Sequence, residues 1–432
     1  MSLDELDLLH LTVRKFTHPQ LRVNAKVLGR HLEKVQDEKE TLLEQLGVGK
    51  EELLSNAKFA ALLLRHAPDA VLPVKAGKSG AIFAFAKSDP GLQELMRDPR
   101  LWLPVVARMK VKSTIEESRV IRLLQLHAAT GGELAVPLVY YAAHTGRFGG
   151  SDKLNLQNLG RESPLRAAIE PLQPGQVVLA GDLSQIEARI TATLAGQWDL
   201  VNAFAAGRDV YSDFASDHYG FKVNKEQYPK ERFVGKTGIL SLGFQAGWRK
   251  FFFTMNYVFG TAISEADAES VVNTYRTKYK SIVKLWYTMA QLITAMSKGN
   301  EVHFGPVRTT KDAIVLPNGM VLNYPQLHKQ DSEFVYRDKH GAFTKLFGGK
   351  LAENLCQALA RIVVTSAEVR LARAGLFAAL SVHDELVFTV PERLAPAYKK
   401  IVEKELVRPV AWMPDLPVAC EVKFGANYSE CK

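Results

Sequence analysis

Ala379-Leu-Ser-Val-His-Asp-Glu-Leu-Val-Phe-Thr-Val390 holds two apolar, β-prone runs broken by three consecutive ionisable side chains, His383, Asp384 and Glu385. Ionisable groups inside an apolar run are costly to bury unless they sit at a turn or bind something. The pattern predicts a β-hairpin that presents all three at its tip. Hairpin tips ordinarily take Gly or Asn, so acidic residues there point to a cation. A plain polar turn reads this segment equally well when it is taken alone.

A second segment upstream has a related logic. In Val178-Leu-Ala-Gly-Asp-Leu-Ser-Gln-Ile-Glu-Ala-Arg189 an apolar strand delivers Asp182 to its end, where a carboxylate can leave the core and meet a metal ion. Ser184 is placed to cap the helix that follows, and Gln185 and Arg189, four apart, share one helix face. For Asp182 alone, an ordinary strand–loop–helix is the simpler reading. A third segment is Glu231-Arg-Phe-Val-Gly-Lys-Thr-Gly-Ile-Leu-Ser-Leu-Gly-Phe244. Its Arg232, Lys236, Leu240 and Phe244, spaced by four, make a slanting stripe on a helix. Two cations, an aliphatic and an aromatic side chain suit phosphates, sugar and base in that order. A solvated basic face grading into core is the plainer alternative. Gly235, Gly238 and Gly243 weaken such a helix and suggest close packing or a moving element. Finally, Thr145-Gly-Arg-Phe-Gly-Gly150 and Asn155-Leu-Gln-Asn158 form a loop whose amides can bond phosphates or minor-groove acceptors, as loops in many proteins that touch no DNA also could.

The rest of the chain sets bounds. A length of 432 residues, 47% of them apolar, predicts two or three subdomains. A net charge of +9 favours polyanionic partners, a weak signal alone. Cys356, Cys420 and Cys431 form no CxxC pair, which argues against a disulfide framework or zinc site and for a reducing compartment. The acidic N-terminus lacks a signal-peptide layout, and no apolar run has the length of a membrane span. A soluble, intracellular protein is expected. Amphipathic helices are predicted over 21–66, punctuated at Gly47-Val48-Gly49, and again over 92–130. Lys75-Ala-Gly-Lys-Ser-Gly80 reads as a basic loop without the spacing of a phosphate-binding loop. Residues 225–300 read as mostly helical, 301–325 as a β-meander turning at Leu316-Pro-Asn-Gly319, and 350–374 as a long helix. The block order suggests an α/β domain with helical insertions.

Taken together, these segments resemble the DNA polymerase I family, family A. Asp182-Leu-Ser-Gln-Ile-Glu-Ala-Arg189 looks like its motif A, Arg232 to Phe244 like motif B, His383-Asp-Glu385 like motif C, and the Thr145–Asn158 segments like its primer–template loop. The motifs occur in family order, and the resemblance runs from the helices near residue 21 to Gly425-Ala-Asn-Tyr428. Phe347-Gly-Gly-Lys-Leu-Ala-Glu-Asn354 and Lys112-Ser-Thr-Ile-Glu-Glu117 look more like the phage branch.

The resemblance implies an α+β fold: a right-hand polymerase with an antiparallel palm sheet and mainly helical thumb and fingers. The expected division is a lead-in over 1–20, thumb 21–140, palm 141–205, fingers 206–300 and palm again 301–432. It implies a template-directed DNA polymerase that adds deoxynucleotides to a primer 3′-hydroxyl and releases pyrophosphate. Asp182 and Asp384 would hold two Mg²⁺ ions, with Mn²⁺ able to substitute, and Glu385 would be an accessory acid. Arg232 and Lys236 would bind the triphosphate, with Lys236 as general acid. Gln185, Glu187, Tyr211, Leu240 and Phe244 would complete the nucleotide site, Glu187 by occupying the space of a ribose 2′-hydroxyl. Arg147, Asn155, Gln157, Asn158, Arg189, Lys350, Gln357 and His383 would contact primer–template DNA.

Three departures stand out against the family pattern. Phe244 replaces the usual Tyr, so no hydroxyl bonds Glu187. Leu240 replaces a Phe or Tyr, which implies discrimination against dideoxynucleotides. Tyr211 replaces a His, binding phosphate by hydrogen bond rather than charge. The expected setting is a monomer in a bacterial or phage-infected cytosol, with replication accessory proteins as further partners and no membrane. No proofreading is expected, because the chain has no room for the family's exonuclease domain. A single-subunit RNA polymerase-like enzyme and a catalytically inactive DNA-binding relative are the competing readings. Glu187 favours the DNA polymerase: with ribo- and deoxynucleotides compared on one primed template, incorporation is expected only from the deoxy set, and equal use of both would sink this reading.

Overall fold

The structure is a computed structural model that describes residues 2–77, 80–160 and 162–431. The chain divides into two compact units, one of Val23–Gly132 with Asn256–Thr261, the other of Met1–Arg22, Glu133–Met255 and Ala262–Lys432.

The smaller unit is built from helices Ala25–Leu46, Lys50–Leu54, Asn56–His66, Pro90–Leu95, Pro99–Lys112 and Ile115–Thr130. Asn24 starts the first by accepting from the Lys26 and Val27 amides at 3.1 and 3.2 Å. Gly47 ends it in the left-handed region, at φ 62°, which costs a glycine little. Leu53, Phe59, Leu62, Leu63, Leu101 and Val105 form its core. Arg108 is buried among them, its guanidinium 4.5 Å from the Phe59 ring centroid and bonded to the Leu53 carbonyl at 2.5 Å. The expected basic loop at 75–80 is largely strand: Val74–Gly77 pairs with Gly80–Phe83, and Lys78 and Ser79 lie outside the described residues.

In the larger unit the sheet that matters for function has the order Leu380–Val382, Glu385–Pro391, Gln176–Leu183, Cys420–Gly425, with every pairing antiparallel. This replaces the α/β expectation with an α+β architecture, since parallel strands would need crossover helices between them. Gln176–Leu183 is central because Val177, Val178, Leu179 and Ala180 are buried on both faces. The meander at 303–323 and the turn at Gly319 are present. The long helix runs Gly348–Arg373, starting two residues before its expected position. Among the described residues no helix is long and apolar enough to cross a membrane.

Two close approaches explain glycines that propensity alone would not place. A Cβ on Gly235 would lie 2.3 Å from the Tyr211 carbonyl oxygen, and one on Gly238 2.7 Å from the Phe214 ring. The helix Pro229–Leu242 therefore lies directly against Val210–Tyr219. The start of the long helix is as tight. A Cβ on Gly348 would lie 1.9 Å from the Trp286 carbonyl oxygen, and one on Gly349 2.6 Å from that of Phe244.

The N-terminal helix Leu3–Thr17 docks on the long helix through buried charge. Arg361 holds Glu5 with both terminal nitrogens, and Tyr140 and Asn318 donate to the same carboxylate. Burial would raise the Glu5 pKa, but Arg361, Tyr140 and Asn318 together bring it below its ordinary value. A depressed carboxyl stabilises the fold above its unfolded pKa, and that stability is lost as pH falls through the folded value. Glu5→Ala leaves the Arg361 charge buried without its carboxylate, so urea unfolding is expected to show a loss of about 3 kcal/mol at pH 7, shrinking below pH ~4.

Candidate active site

The site begins with one ladder. The strand Gln176–Leu183 pairs with Glu385–Pro391 so that Asp182 stands opposite Glu385, and the Leu183 amide donates to the Asp384 carbonyl at 3.0 Å. The two aspartates, 202 positions apart by their numbers (384 − 182), are thereby neighbours. The hairpin turn is His383–Asp384, with His383 exposed at φ 52°. Glu385 is not at the tip. It is the first strand residue, 3% exposed, and accepts from the Tyr428 hydroxyl at 3.0 Å. Period-two alternation turns it from the turn into the sheet.

Burial pushes the Asp384 carboxyl up to about 6. Arg147 opposes the shift, while the charges of Glu187 and Asp182 add to it. Arg147 forms an ion pair with Glu187, and its Nη2 lies 3.5 Å from Asp384 Oδ1. One guanidinium therefore spans the nucleotide-site glutamate and one of the aspartates. A cavity of about 360 Å³ opens beside them, lined in part by Asp182, Gln185, Glu187, Leu240, Phe244 and Asp384. The donor set suits hard cations: two neighbouring carboxylates, one of which resists ionisation chiefly because it is buried and further because Glu187 and Asp182 lie near it, line the same open cavity. Among the described residues no three His, Cys, Asp or Glu side chains form a metal-binding cluster.

The motif A helix differs from expectation at its start. Gln185, not Ser184, occupies the cap position, at φ 49°. The Ser184 amide instead donates to the Ala419 carbonyl at 2.8 Å. Arg189 shares a face with Gln185, as their spacing implied, and bonds its side-chain oxygen at 3.2 Å. Arg189 is buried, however, and also donates to the carbonyls of Ser184, Phe204 and Pro417. That inward placement ties the start of the helix to the surrounding loops. Gln157 is likewise buried, donating to the Ser381 carbonyl at 3.2 Å, while Asn155 caps the short turn before it.

Arg232, Lys236 and Leu240 lie on the helix Pro229–Leu242, whereas Phe244 lies just beyond its end. Leu240 is 40% exposed at the cavity. Arg232 bonds Asp209 at 2.6 and 3.2 Å and lies 5.3 Å from the Tyr211 ring centroid. Burial raises the Tyr211 phenol to about 12, with Arg232 and a Gln185 hydrogen bond opposing, so the phenol is neutral at physiological pH. Lys236 is half-buried on the same helix. On the long helix, Lys350 pairs with Glu353 at 3.1 Å and Gln357 donates to Glu353 at 3.4 Å. Asn158 is exposed on its loop. Sequence reading did not find Asp209, the partner that holds Arg232. Its signal was the Asp-Val-Tyr-Ser212 start of a helix, where Asp209 caps through Ser212. A second cavity, about 460 Å³, lies near the same loop and is lined in part by Tyr141, His144, Tyr336, Arg337 and Lys339. It lacks the carboxylate pair.

The family model for DNA polymerase family A matches residues 22–430, so the chain belongs to that family. Its members depend on divalent metal ions. A DNA polymerase of Bacillus phage SP02 is 32% identical over 276 residues, covering 60% of this chain and 42% of the phage protein. The thermostable DNA polymerase I of Thermus filiformis is 26% identical over 346 residues, covering 79% of this chain and 38% of that enzyme. The chain thus spans about two fifths of the length of these curated relatives. Among solved structures, the POL domain of Pol1 from M. smegmatis, in complex with DNA primer-template and dNTP, superimposes with a TM-score of 0.73 at 20% identity, covering 99% of this chain and 70% of that one. That likeness shows a shared fold.

The raised Asp384 pKa gives a stability test. Between pH ~4 and ~6 the folded carboxyl keeps a proton that the unfolded chain releases, so this group's contribution falls as pH rises through that window. At pH 7 without divalent ions its ionisation costs on the order of 3 kcal/mol. Asp384→Asn in EDTA is therefore expected to unfold at higher urea than wild type at pH 7, with the two converging near pH 4.

Proposed function

We propose that this chain is a template-directed DNA polymerase that joins deoxynucleoside triphosphates to a primer 3′-hydroxyl. The observation that carries the reading is the aspartate pair, Asp182 on the central strand and Asp384 in the turn leading into the strand beside it, opening on the same cavity as Glu187, Leu240 and Phe244. Family membership supports it, as does the solved relative in complex with primer-template and dNTP. The helical unit would serve as thumb, the antiparallel sheet as palm, and the helices between 206 and 300 as fingers.

Asp182 and Asp384 would hold two Mg²⁺ ions, and Mn²⁺ would serve in their place. When bound, such ions lower the pKa of the attacking hydroxyl and stabilise the developing charge on the leaving pyrophosphate. The chain's own residues do the rest. Arg232, now on Asp209, exchanges that carboxylate for the triphosphate, a bidentate guanidinium partner of the same geometry. Tyr211 beneath it donates its phenolic hydrogen to a phosphate oxygen, being neutral at working pH. Lys236, one turn further along the helix, supplies a proton to pyrophosphate. Leu240 and Phe244 form the apolar wall for sugar and base. Glu187, half-buried at the cavity, fills the space a 2′-hydroxyl would need.

Arg147 has two uses. Without DNA it neutralises Glu187 and Asp384; with DNA it leaves them for the minor groove of the newly formed pair. Gln357, Asn158 and Lys350 line the same DNA path, and His383, exposed at the turn, touches the primer end. The proposed setting is a bacterial or phage-infected cytosol, with the enzyme acting as a monomer alongside accessory replication proteins.

Primer extension with Mg²⁺ tests the reading. Asp182→Ala and Asp384→Ala are each expected to lower the rate by about a thousandfold or more. Lys236→Ala is expected to lower it about a hundredfold, the range of a lost general acid. Product from Asp384→Ala equal to wild type would remove the enzyme reading.

A further inference from the structure

Lys15 and Glu368 form an ion pair with both side chains 1% exposed. Lys15 belongs to the N-terminal helix Leu3–Thr17, and Glu368 to the long helix Gly348–Arg373. Neither lines the cavity at the aspartates. A buried pair of this kind seldom stabilises a fold more than well-packed apolar residues of similar volume would. Its use is better sought in what the pair holds.

The second oxygen of Glu368 supplies the answer. Glu368 Oε2 accepts from the Ser381 hydroxyl at 3.1 Å. The Ser381 carbonyl accepts in turn from Gln157 Nε2 at 3.2 Å. Ser381 is 3% exposed and lies in the short strand Leu380–Val382, opposite Leu386. Three residues on is Asp384. The hairpin arm feeding the turn is thus gripped on both its side chain and its backbone, from the long helix and from the Asn155–Asn158 loop. That arm is the outermost strand of its sheet, with ladder bonds on one side only. An edge arm of three residues has few bonds of its own to fix the turn beyond it.

We propose that Lys15 and Glu368 are positioning residues for Asp384. Lys15 pairs with Glu368 and orients it, Glu368 clamps the Ser381 hydroxyl, and the clamp fixes the turn that carries the metal-binding carboxylate. The lysine also lies 5.9 Å from the Phe148 ring centroid, next to Arg147 in sequence, so the same side chain braces the loop that supplies Arg147. The inference rests on the polymerase reading for its catalytic consequence, but not for its structural one.

Ser381→Ala removes only the clamped hydroxyl and leaves the ion pair in place, which makes it the gentle variant. Lys15→Met is the severe one, and Lys15→Arg restores the charge. Hydrogen–deuterium exchange of the hairpin 380–387 is read alongside single-turnover primer extension. In Ser381→Ala and Lys15→Met the hairpin amides are expected to exchange about tenfold faster, while those of Cys420–Gly425 keep their wild-type rate. The maximal extension rate should fall about five- to tenfold with nucleotide KM and DNA affinity within twofold, since Asp384 acts on the chemical step. The two defects should not multiply in the double variant, and Lys15→Arg should recover most of the rate. Unchanged hairpin exchange and unchanged maximal rate in folded Ser381→Ala would overturn the proposal. So would loss of thermal stability in Lys15→Met with the hairpin and the rate intact. If wild type extends no primer, the polymerase reading falls, and the exchange experiment still decides whether the clamp holds the hairpin.

Discussion

One hydrogen-bonded register sets the whole site. The strand Gln176–Leu183 lies between Glu385–Pro391 and Cys420–Gly425, and the Leu183 amide meets the Asp384 carbonyl. Side chains alternate along a strand, so a slip of one residue in that pairing would turn Asp182 into the opposite face. The register is guarded by burial on both sides. Val178, Leu179, Leu386, Val387 and Phe388 are essentially inaccessible, and a slip would exchange their environments too. The placing of the two aspartates beside each other is therefore a by-product of core packing.

Bringing anions together has an electrostatic cost, visible in the raised pKa of Asp384. Burial, Glu187 and Asp182 all disfavour its charge, and Arg147 is the protein's own answer. The same device recurs on the helix Pro229–Leu242, where Asp209 holds Arg232. On the proposed reading each of these arginines is paired with an opposite charge until a ligand arrives, and each pair would be exchanged for a substrate contact of similar geometry, so neither group would be desolvated without a partner.

The sequence carried a large part of this. Asp182 and Asp384 drew notice as ionisable residues at the ends of apolar runs, but each segment alone also read as a plain strand–loop–helix or a polar turn, and only their order with the other motifs singled them out. The long helix, the meander and the turn at Gly319 followed from periodicity and turn chemistry. The errors have physical causes. Ser184 had the right chemistry for a cap, but a left-handed Gln185 takes the position and the Ser184 amide is used by Ala419. Glu385 looked like its two neighbours, but the strand begins there and alternation sends it inward to Tyr428. Arg189 was spaced correctly against Gln185, yet its guanidinium also donates to the carbonyls of Ser184, Phe204 and Pro417, the last two far along the chain. Pairings such as Lys15 with Glu368 join residues 353 apart, and no local pattern encodes which buried charge meets which.

The glycines of the helix Pro229–Leu242 connect packing to function. Gly235 and Gly238 let this helix approach Val210–Tyr219 more closely than any larger residue would permit. That contact fixes Tyr211 beneath Arg232, and Tyr211 reaches Gln185 on the motif A side. A helix with two internal glycines gives up about 1 kcal/mol of intrinsic stability at each, so its order depends on its neighbours more than on its own propensity. An element stabilised mainly by contacts is one that can change contacts without unfolding. Leu240 on this helix and Phe244 just beyond its end face the cavity, and on the proposed reading they would meet an incoming nucleotide. Of the two readings the glycines allowed, close packing or a moving element, the contacts of Gly235 and Gly238 with Val210–Tyr219 supply the first.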